Sequence, residues 1–286
     1  MSEALDQYGV IGHPVAHSWS PFIHGAFARQ TGQALAYQLH DVPPERFREY
    51  VLDFAARGGR GLNVTVPHKL AAAALASELT GRARRAGAVN TLMFDGDRVL
   101  GDNTDGAGLV RDLCSNLGLT LGRRRILIAG AGGGARGVVA PLLALDPLQV
   151  VIAARSAERA RALAADFADT GGALHACAFE QLGAGESWAA GSFDLIVNAT
   201  SASLNGEVPR IPEATVGART LCYDMAYGRT DTPFVLWARE RGCERAVQGW
   251  GMLVEQAAES FYLWRGVRPD TAPVLALLAP GAAARR

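Results

Sequence analysis

Lys69 is the only lysine among the 28 lysine and arginine residues of this 286-residue chain. It is the last residue of the segment 61–69, whose sequence is Gly-Leu-Asn-Val-Thr-Val-Pro-His-Lys. A guanidinium keeps its charge in any protein, whereas a lysine ammonium gives or takes a proton when its surroundings lower its pKa. Asn63 and Thr65 alternate with apolar residues, which predicts a buried strand end that presents polar groups and stops at Pro67. We therefore predict an acid/base role for Lys69, against the simpler interpretation of a surface lysine without a role.

Asp105 is the second candidate, and it lies in residues 102–106, Asp-Asn-Thr-Asp-Gly. A calcium-binding EF-hand loop does not fit there, because its first ligand would be Gly101 and its twelfth would be Asp112 instead of glutamate. A carboxylate close to Lys69 would keep that lysine charged or relay its proton. The sequence does not place the two side chains together, and a turn with helix-capping aspartates is the alternative interpretation.

Gln256 lies close to the apolar face of a helical stretch near the end of the chain. An amide that faces inward there forms either a hydrogen bond within the core or a contact with substrate. The six histidines show no metal-binding or charge-relay spacing. The four cysteines are scattered without a CxxC pair, so no metal site is predicted.

A glycine-rich segment, Gly-Ala-Gly-Gly-Gly-Ala at 130–135, follows directly after the apolar run 125–129 and opens a helical stretch. The spacing Gly130-x-Gly132-x-x-Ala135 in that position is typical of a dinucleotide-binding turn. Glycines let the backbone approach a pyrophosphate, whose charge the helix N-terminus favours. We predict that this turn binds a dinucleotide through its first five residues, Gly130, Ala131, Gly132, Gly133 and Gly134; a tight structural turn is the alternative.

The end of the next predicted strand indicates which dinucleotide binds. A carboxylate there would bond to the ribose diol of NAD, but this chain has Ala154, Arg155 and Ser156, with Arg159 one turn later and no acid before Glu158. Two guanidiniums and a hydroxyl suit a phosphate. The pattern favours NADP, although arginines at a helix start are often only solvated surface residues.

Composition excludes several classes of protein. With 49% hydrophobic and 20% charged residues, we expect a soluble globular chain. The formal net charge is zero, which gives no electrostatic case for binding nucleic acid or an anionic membrane. No apolar run reaches the length of a membrane span, and the first residues lack the features of a signal peptide, so the cytoplasm is the expected location.

Hydrophobic periodicity predicts an α/β chain with two regions that differ in their pattern of strands and helices. The first hundred residues alternate strands and helices and include a hairpin around Asp95-Gly96-Asp97 and a helix that begins at Ser20 as N-cap with Pro21 in its first turn. From Arg123 onward, apolar strands alternate with helices as in a doubly wound parallel sheet. The predicted strands there are 125–129, 150–153, 174–178, 195–198 and 221–223, and the predicted helices of the whole chain include 107–117, 138–145, 157–167, 252–264 and 272–278.

The whole chain resembles the shikimate dehydrogenase family in eight short motifs that occur in family order. They lie at 18–21, 63–69, 88–91, 101–106, 130–135, 198–201, 223–225 and 251–253 with Gln256. The resemblance implies NADPH-dependent reduction of 3-dehydroshikimate to shikimate on the chorismate route to aromatic amino acids. It also implies a catalytic domain at 1–105 completed by 247–286, and an inserted Rossmann-type NADP-binding domain at 106–246.

The same resemblance implies roles for individual residues. Lys69 and Asp105 would form the catalytic pair, and Met225 and Gly249 would join the cofactor site. The residues implied to bind substrate, besides Asp105, are Ser18, Ser20, Thr65, Asn90, Tyr227 and Gln256. A small acid with several hydroxyls calls for neutral hydrogen-bonding groups, and hydride delivery to a ketone builds negative charge that an ammonium can neutralise by donating its proton. The two serines of the Ser-x-Ser loop favour shikimate over quinate, because relatives that also accept quinate tend to carry threonine at the second position.

Two departures from the family pattern stand out. The family usually has Asn-Arg-Thr where this chain has Ala154-Arg155-Ser156, which predicts weaker selection of NADP. The family often has Asp-Gly where this chain has Gln248-Gly249, and nothing in the sequence explains that change. The alternatives are a dehydrogenase acting on quinate or an amino-shikimate and, in another class, a non-catalytic NADP-sensing regulator. The partner expected is a small-molecule substrate, and the sequence fits either a monomer or a homodimer.

Overall fold

A computed structural model describes residues 5–171, 173–183 and 187–278, and the chain divides into two compact units. Among the described residues, the first unit comprises 5–109 and Leu253–Leu278, and the second comprises 110–252. Each unit contains one six-stranded sheet. No helix within the described ranges has the length and apolarity needed to cross a membrane.

The elements of the first half of the chain are, in order, β1 (Asp6–Gly12), α1 (Ser20–Thr31), β2 (Leu35–Asp41), α2 (Phe47–Ala56), β3 (Gly59–Val64), α3 (Lys69–Leu75), β4 (Glu78–Leu79), α4 (Gly81–Ala86), β5 (Thr91–Asp95), β6 (Arg98–Asp102) and α5 (Asp105–Arg111). They are followed by β7 (Arg125–Ala129), α6 (Gly133–Leu143), β8 (Gln149–Ala154), α7 (Ala157–Ala165), β9 (Leu174–Ala178), β10 (Leu195–Asn198), β11 (Leu221–Asp224), α8 (Pro233–Glu240), β12 (Arg245–Gln248), α9 (Trp250–Arg265) and α10 (Ala272–Leu278).

The sheet of the first unit is mixed, with the order β2-β1-β3-β5-β6-β4. Strand β1 pairs in parallel with β2 and β3, while β5 pairs antiparallel with β3 and β6. The β5–β6 pair is the predicted hairpin, and its turn contains Gly96 at a φ of 57°, a conformation that glycine adopts without strain. Buried Ile11, Leu62, Val64 and Leu92 belong to the core cluster that packs beneath this sheet. The sheet therefore fixes where β3 and β6 end, and both candidate catalytic residues follow these ends.

The sheet of the second unit is entirely parallel, with the order β12-β11-β10-β7-β8-β9. This confirms the predicted doubly wound parallel sheet. The central strands are continuous apolar runs because helices cover parallel sheets on both faces. The sequence does not predict strand β12, because an edge strand that reads Arg-Ala-Val-Gln carries no such run.

Several predicted helix boundaries are wrong. Ser20 is the first residue of α1 instead of its cap, and Trp19 occupies the cap position without a side-chain bond. Helix α6 begins at Gly133, well before the predicted 138, because the glycine segment itself forms the first turn. The predicted helix 107–117 begins at Asp105 and changes at Asp112–Asn116 into a π-helical turn.

Candidate functional site

Lys69 and Asp105 form a buried ion pair within the first unit. The Lys69 Nζ donates to Asp105 Oδ2 over 2.5 Å, and the two side chains are only 14% and 6% exposed. Lys69 is the first residue of α3, and Asp105 is the first residue of α5. The backbone N–H of Val89 bonds to the Lys69 carbonyl, which ties the start of α3 to the segment that enters β5. The structure thus brings together two residues that the sequence could only pair by resemblance.

Asn90 holds the other oxygen of this carboxylate. Its Nδ2 donates to Asp105 Oδ1 over 2.9 Å and to Thr104 Oγ1 over 2.9 Å. Its Oδ1 accepts the Thr104 backbone N–H at 2.8 Å. Because a backbone N–H can only donate, that bond fixes which end of the amide faces Asp105. Asp105 therefore receives one donor on each carboxylate oxygen, the amide of Asn90 and the ammonium of Lys69.

A buried polar layer that includes Ser260 of α9 supports Asn90 through Thr91, whose Oγ1 lies 2.9 Å from Asn90 Oδ1. Ser260 Oγ lies 2.8 Å from Thr91 Oγ1 and accepts from Asn63 Nδ2 at 2.9 Å. The Tyr37 hydroxyl donates to Asn63 Oδ1 over 2.7 Å, which leaves the Asn63 Nδ2 facing Ser260. The sequence indicated that Asn63 was polar within a strand, but nothing marked Ser260 or Tyr37, because their partners lie far away in the chain.

Gln256, also on α9, joins the same cluster. Its Oε1 lies 3.3 Å from Asn90 Nδ2 and 3.4 Å from Thr104 Oγ1, while its Nε2 donates to the Leu253 carbonyl. Asn90 Nδ2 has two hydrogens and three acceptors within reach, and Gln256 is the most distant of them. The Gln256 Oε1 therefore accepts only long hydrogen bonds within the protein, of 3.3 and 3.4 Å.

Ser18, Ser20 and Thr65 follow the carboxyl ends of adjacent parallel strands, β1 and β3. Ser18 Oγ donates to Ser20 Oγ over 3.1 Å and accepts the Ser20 backbone N–H at 3.3 Å. A Cβ at Gly12 would lie 2.4 Å from the Thr65 methyl group, so glycine is required for the loop after β1 to approach Thr65. This close approach brings the start of the loop that leads to Ser18 and Ser20 next to Thr65.

Asp102, three residues before Asp105, is held by a bidentate arginine. Arg82 Nε and Nη2 donate to its two oxygens at 2.7 Å each, and Thr80 Oγ1 donates at 2.6 Å. The same carboxylate accepts the Asn103 backbone N–H, and the Asp102 carbonyl accepts the Asn90 N–H. The Asp102 side chain is 2% exposed. This ion pair therefore fixes the turn that presents Asp105.

In the second unit, the glycine turn packs closely against the segment after β10 and leaves the start of α6 open. Gly130 has a φ of 114°, and a Cβ there would lie 3.1 Å from the Ala199 carbonyl. Helix α6 begins at Gly133 after Gly132, and no side chain caps it. A Cβ on Gly132 would meet nothing within 4 Å, so its backbone faces open space. The uncapped N–H groups of α6 fit a pyrophosphate.

Arg155, Ser156 and Arg159 lie together after β8. Ser156 caps α7 by accepting the Arg159 backbone N–H at 3.2 Å, and both arginine side chains are exposed. No carboxylate ends β8, whose last residue is Ala154. This donor set fits a ribose 2′-phosphate.

Met225, Gly249 and Tyr227 also lie in the second unit. A Cβ on Gly249 would be 2.6 Å from the Met225 carbonyl oxygen, which explains the glycine there. Tyr227 packs against Trp250 with ring centroids 4.7 Å apart. Tyr227 is the one predicted substrate residue in this unit; the other six, including Asp105, belong to the first unit. Among the residues described, no group of three or more histidine, cysteine, aspartate or glutamate side chains could hold a metal ion.

Comparison with known families covers most of the chain. Residues 10–92 match the shikimate dehydrogenase substrate binding domain, 112–229 match shikimate/quinate 5-dehydrogenase, and 249–278 match the shikimate 5′-dehydrogenase C-terminal domain. A shikimate dehydrogenase (NADP(+)) of Nitrosospira multiformis is 54% identical over 273 residues, which cover 96% of this chain and 97% of that one.

The chain belongs to the shikimate dehydrogenase family.

Solved structures of shikimate dehydrogenase relatives share the α/β architecture. The crystal structure of an Ael1 enzyme from Pseudomonas putida is 43% identical, covers 97% of this chain and 99% of that one, and superposes with a TM-score of 0.85. Shikimate 5-dehydrogenase from Thermus thermophilus, solved in complex with NADP(H) and shikimate, is 30% identical, covers 95% of this chain and 97% of that one, and has a TM-score of 0.80.

Proposed function

We propose that this chain catalyses the reversible, NADP(H)-dependent reduction of 3-dehydroshikimate to shikimate in aromatic amino acid biosynthesis. The observation that carries the proposal is the buried pair of Lys69 and Asp105, surrounded by neutral hydrogen-bonding groups, in a chain of the shikimate dehydrogenase family. A relative named for NADP(+) at 54% identity supports the same reaction and cofactor.

The proton transfer is assigned to Lys69. NADPH, when bound, supplies the hydride that reaches the carbonyl carbon of the substrate. As that bond forms, negative charge grows on the carbonyl oxygen, and the Lys69 ammonium donates its proton there. In the reverse direction, neutral Lys69 takes the proton from the hydroxyl. Asp105 keeps the Nζ in place through their bond, and Asn90 keeps Asp105 in place.

Substrate recognition is assigned to the polar groups of the first unit, and a role for Tyr227 stays a prediction from the family resemblance. Ser18, Ser20 and Thr65 offer hydroxyls at the sheet edge, while Asn90 and Gln256 offer amides beside Asp105. Neutral groups of this kind suit a small acid that carries several hydroxyls. The second unit is assigned to NADP. Its glycine turn would hold the pyrophosphate, and Met225 and Gly249 would complete the site.

We assign binding of the ribose 2′-phosphate to Arg155, Ser156 and Arg159. An arginine binds a phosphate through two parallel N–H bonds, and the Ser156 hydroxyl keeps a free proton while its oxygen caps α7. Monomer or homodimer, location in the cytoplasm, and the division of roles between residues 1–105 with 247–286 and 106–246 stay predictions.

A rate comparison with two substrates and two cofactors tests the proposal. Purified protein is assayed with shikimate or quinate and with NADP⁺ or NAD⁺, and Lys69→Met serves as the control for background turnover. We expect the highest kcat/KM for shikimate with NADP⁺, by about tenfold or more over each other combination. A higher value with quinate would support the quinate dehydrogenase alternative. Tight NADP⁺ binding without turnover of either acid would support the regulatory alternative.

A further inference from the structure

Asp224 is a fully buried carboxylate that the proposed reaction does not use. It ends β11, directly opposite Asn198 at the end of β10, and its exposure is 0%. It precedes Met225, as Asn198 precedes Ala199. Both following residues reach the glycine turn, because a Cβ on Gly134 would lie 3.5 Å from the Met225 methyl and 3.8 Å from the Ala199 carbonyl.

Four neutral donors surround this carboxylate. Asn198 Nδ2 at 3.0 Å and the Ala226 N–H at 3.1 Å bond to Oδ1. Ser203 Oγ and Thr232 Oγ1 bond to Oδ2 at 2.6 Å each. No lysine or arginine within the described ranges forms an ion pair with Asp224. Its charge is therefore balanced by dipoles and not by a cation.

The direction of these bonds is fixed by the surrounding groups. Asn198 Oδ1 accepts the Thr200 N–H at 3.1 Å, so its Nδ2 must face Asp224. Thr232 Oγ1 accepts the Val235 N–H as the cap of α8, which leaves its own proton for Asp224. Burial raises the pKa of Asp224, and its hydrogen bonds oppose that rise. The network suits an ionised carboxylate.

Strand order places Asp224 on one side of the cofactor site. Strands β10 and β11 lie on the side of β7 opposite β8, whose end carries Arg155 and Ser156. A dinucleotide crosses a doubly wound sheet at the switch in strand order, with its pyrophosphate at the glycine turn. If the 2′-phosphate binds after β8, the nicotinamide half would lie over the ends of β10 and β11.

We propose that the Asp224 carboxylate makes this site prefer the oxidised cofactor, because the nicotinamide ring of NADP⁺ carries a positive charge that NADPH lacks. The inference rests on the proposed function, since it requires NADP(H) at the glycine turn. A fixed negative charge in a buried environment attracts a cationic ring more strongly than a neutral one. Asp112 is a second buried carboxylate, and it accepts a hydrogen bond from the hydroxyl of Tyr223, which lies on β11 next to Asp224. None of the variants below changes Asp112, so its effect on cofactor binding is the same in all of them.

Asp224→Asn is the direct test. The amide has nearly the same shape, and it can donate to Ser203 and Thr232 because hydroxyl oxygens also accept. Dissociation constants for NADP⁺ and NADPH are measured separately by calorimetry with the full chain. We expect the ratio of the NADP⁺ constant to the NADPH constant to rise about tenfold in the variant.

Two control variants separate charge from structure. Asp194→Asn removes a carboxylate that directly precedes β10, at the amino ends of the parallel strands, whereas Asp224 lies at their carboxyl ends. Ser203→Ala removes one donor to Asp224 and leaves the charge. Both controls are expected to keep the wild-type ratio. If Asp224→Asn does not fold by circular dichroism, Asp224→Ser removes the same charge with a smaller side chain.

The outcomes are distinct. An unchanged ratio in a folded Asp224 variant overturns the inference while leaving the proposed function intact. Equal losses of affinity for both cofactor forms also overturn it, because they show a positioning role without electrostatic preference. Failure of the wild-type chain to bind either form contradicts the proposed function itself, and the inference falls with it.

Discussion

The side-chain amide of Asn90 donates a 2.9 Å hydrogen bond to Asp105 Oδ1, while Lys69 holds the other oxygen of the same carboxylate. Asn90 itself is fixed by the backbone N–H of Thr104. The open end of the β5–β6 hairpin therefore fixes the position of Asn90 and Asp105, and through them the position of the ammonium that we propose as the proton donor.

Asn90→Ala should release Asp105 on one side. We expect kcat to fall about 10–100-fold, because misplacing a catalytic group by about 1 Å costs this much. The loss should appear in steady-state assays with shikimate and NADP⁺, with melting temperature measured alongside. Asn205→Ala, at an exposed position of the second unit, is the matched control and should keep wild-type kcat. Unchanged kcat in Asn90→Ala would contradict the positioning role.

Arg82→Met should leave the carboxylate of Asp102 buried without its cation. Breaking a buried ion pair costs about 3–5 kcal/mol, and we expect about 2–3 kcal/mol here because Arg82 is partly exposed. Urea unfolding gives the value, and Arg48→Met on an exposed position of α2 should change it little. Adding Asp102→Asn to Arg82→Met should recover part of the loss. If the loss of stability in the double variant equals the sum of the losses in Arg82→Met and Asp102→Asn, the two side chains do not interact.

His24 should make the fold sensitive to acid. Its ring is fully buried and stacked on Tyr37, and neither nitrogen reaches a hydrogen-bond partner among the described residues. Burial lowers the pKa of His24 from 6.5 to about 3. Below pH 6.5 the unfolded chain binds a proton that the folded chain does not, so the free energy of unfolding falls as pH drops from 6.5 toward 3.

His24→Phe should remove this dependence. Stability of the wild type is expected to decline relative to the variant by about 1.4 kcal/mol per pH unit between pH 6 and 4. Denaturant unfolding at several pH values measures the slope, which is independent of any constant cost of fitting the larger ring. The exposed His17→Gln variant should retain the wild-type slope. Equal slopes in wild type and His24→Phe would refute the assignment.

Arg155→Ala should weaken NADP⁺ more than NAD⁺. Loss of a charge-assisted bond to the 2′-phosphate is expected to raise KM for NADP⁺ about tenfold and to leave KM for NAD⁺ within about twofold. Arg161→Ala, exposed on the same helix α7, is the control for a general loss of positive charge. A similar rise with both cofactors would remove Arg155 from the phosphate site.

Local patterns predicted much of the fold. The apolar runs of β7 and β10, the hairpin turn at Gly96 and the glycine turn at 130–134 depend on neighbours in the sequence, and each was predicted. The edge strand β12 was missed because it lacks an apolar run. Trp19, and not Ser20, occupies the cap position of α1, and the Ser20 hydroxyl accepts a hydrogen bond from Ser18.

The candidate site depends on contacts across long stretches of chain. Lys69 and Asp105 were separately identifiable, one by its uniqueness and the other by its motif, but their contact spans 36 positions. Ser260 reaches Asn63 across 197 positions. A serine on a helix and a tyrosine on a strand carry no local sign of such partners, so only folding reveals the layer that holds Asn90.

Lys69→Arg tests the central claim most directly. It keeps the positive charge beside Asp105 and removes the group that exchanges a proton. The measurement is kcat and KM for shikimate with NADP⁺ in wild type and variant, with circular dichroism to confirm folding. The account predicts a loss of about 10²–10⁴-fold in kcat with KM nearly unchanged. A folded Lys69→Arg enzyme with near wild-type kcat would contradict the acid/base role of Lys69.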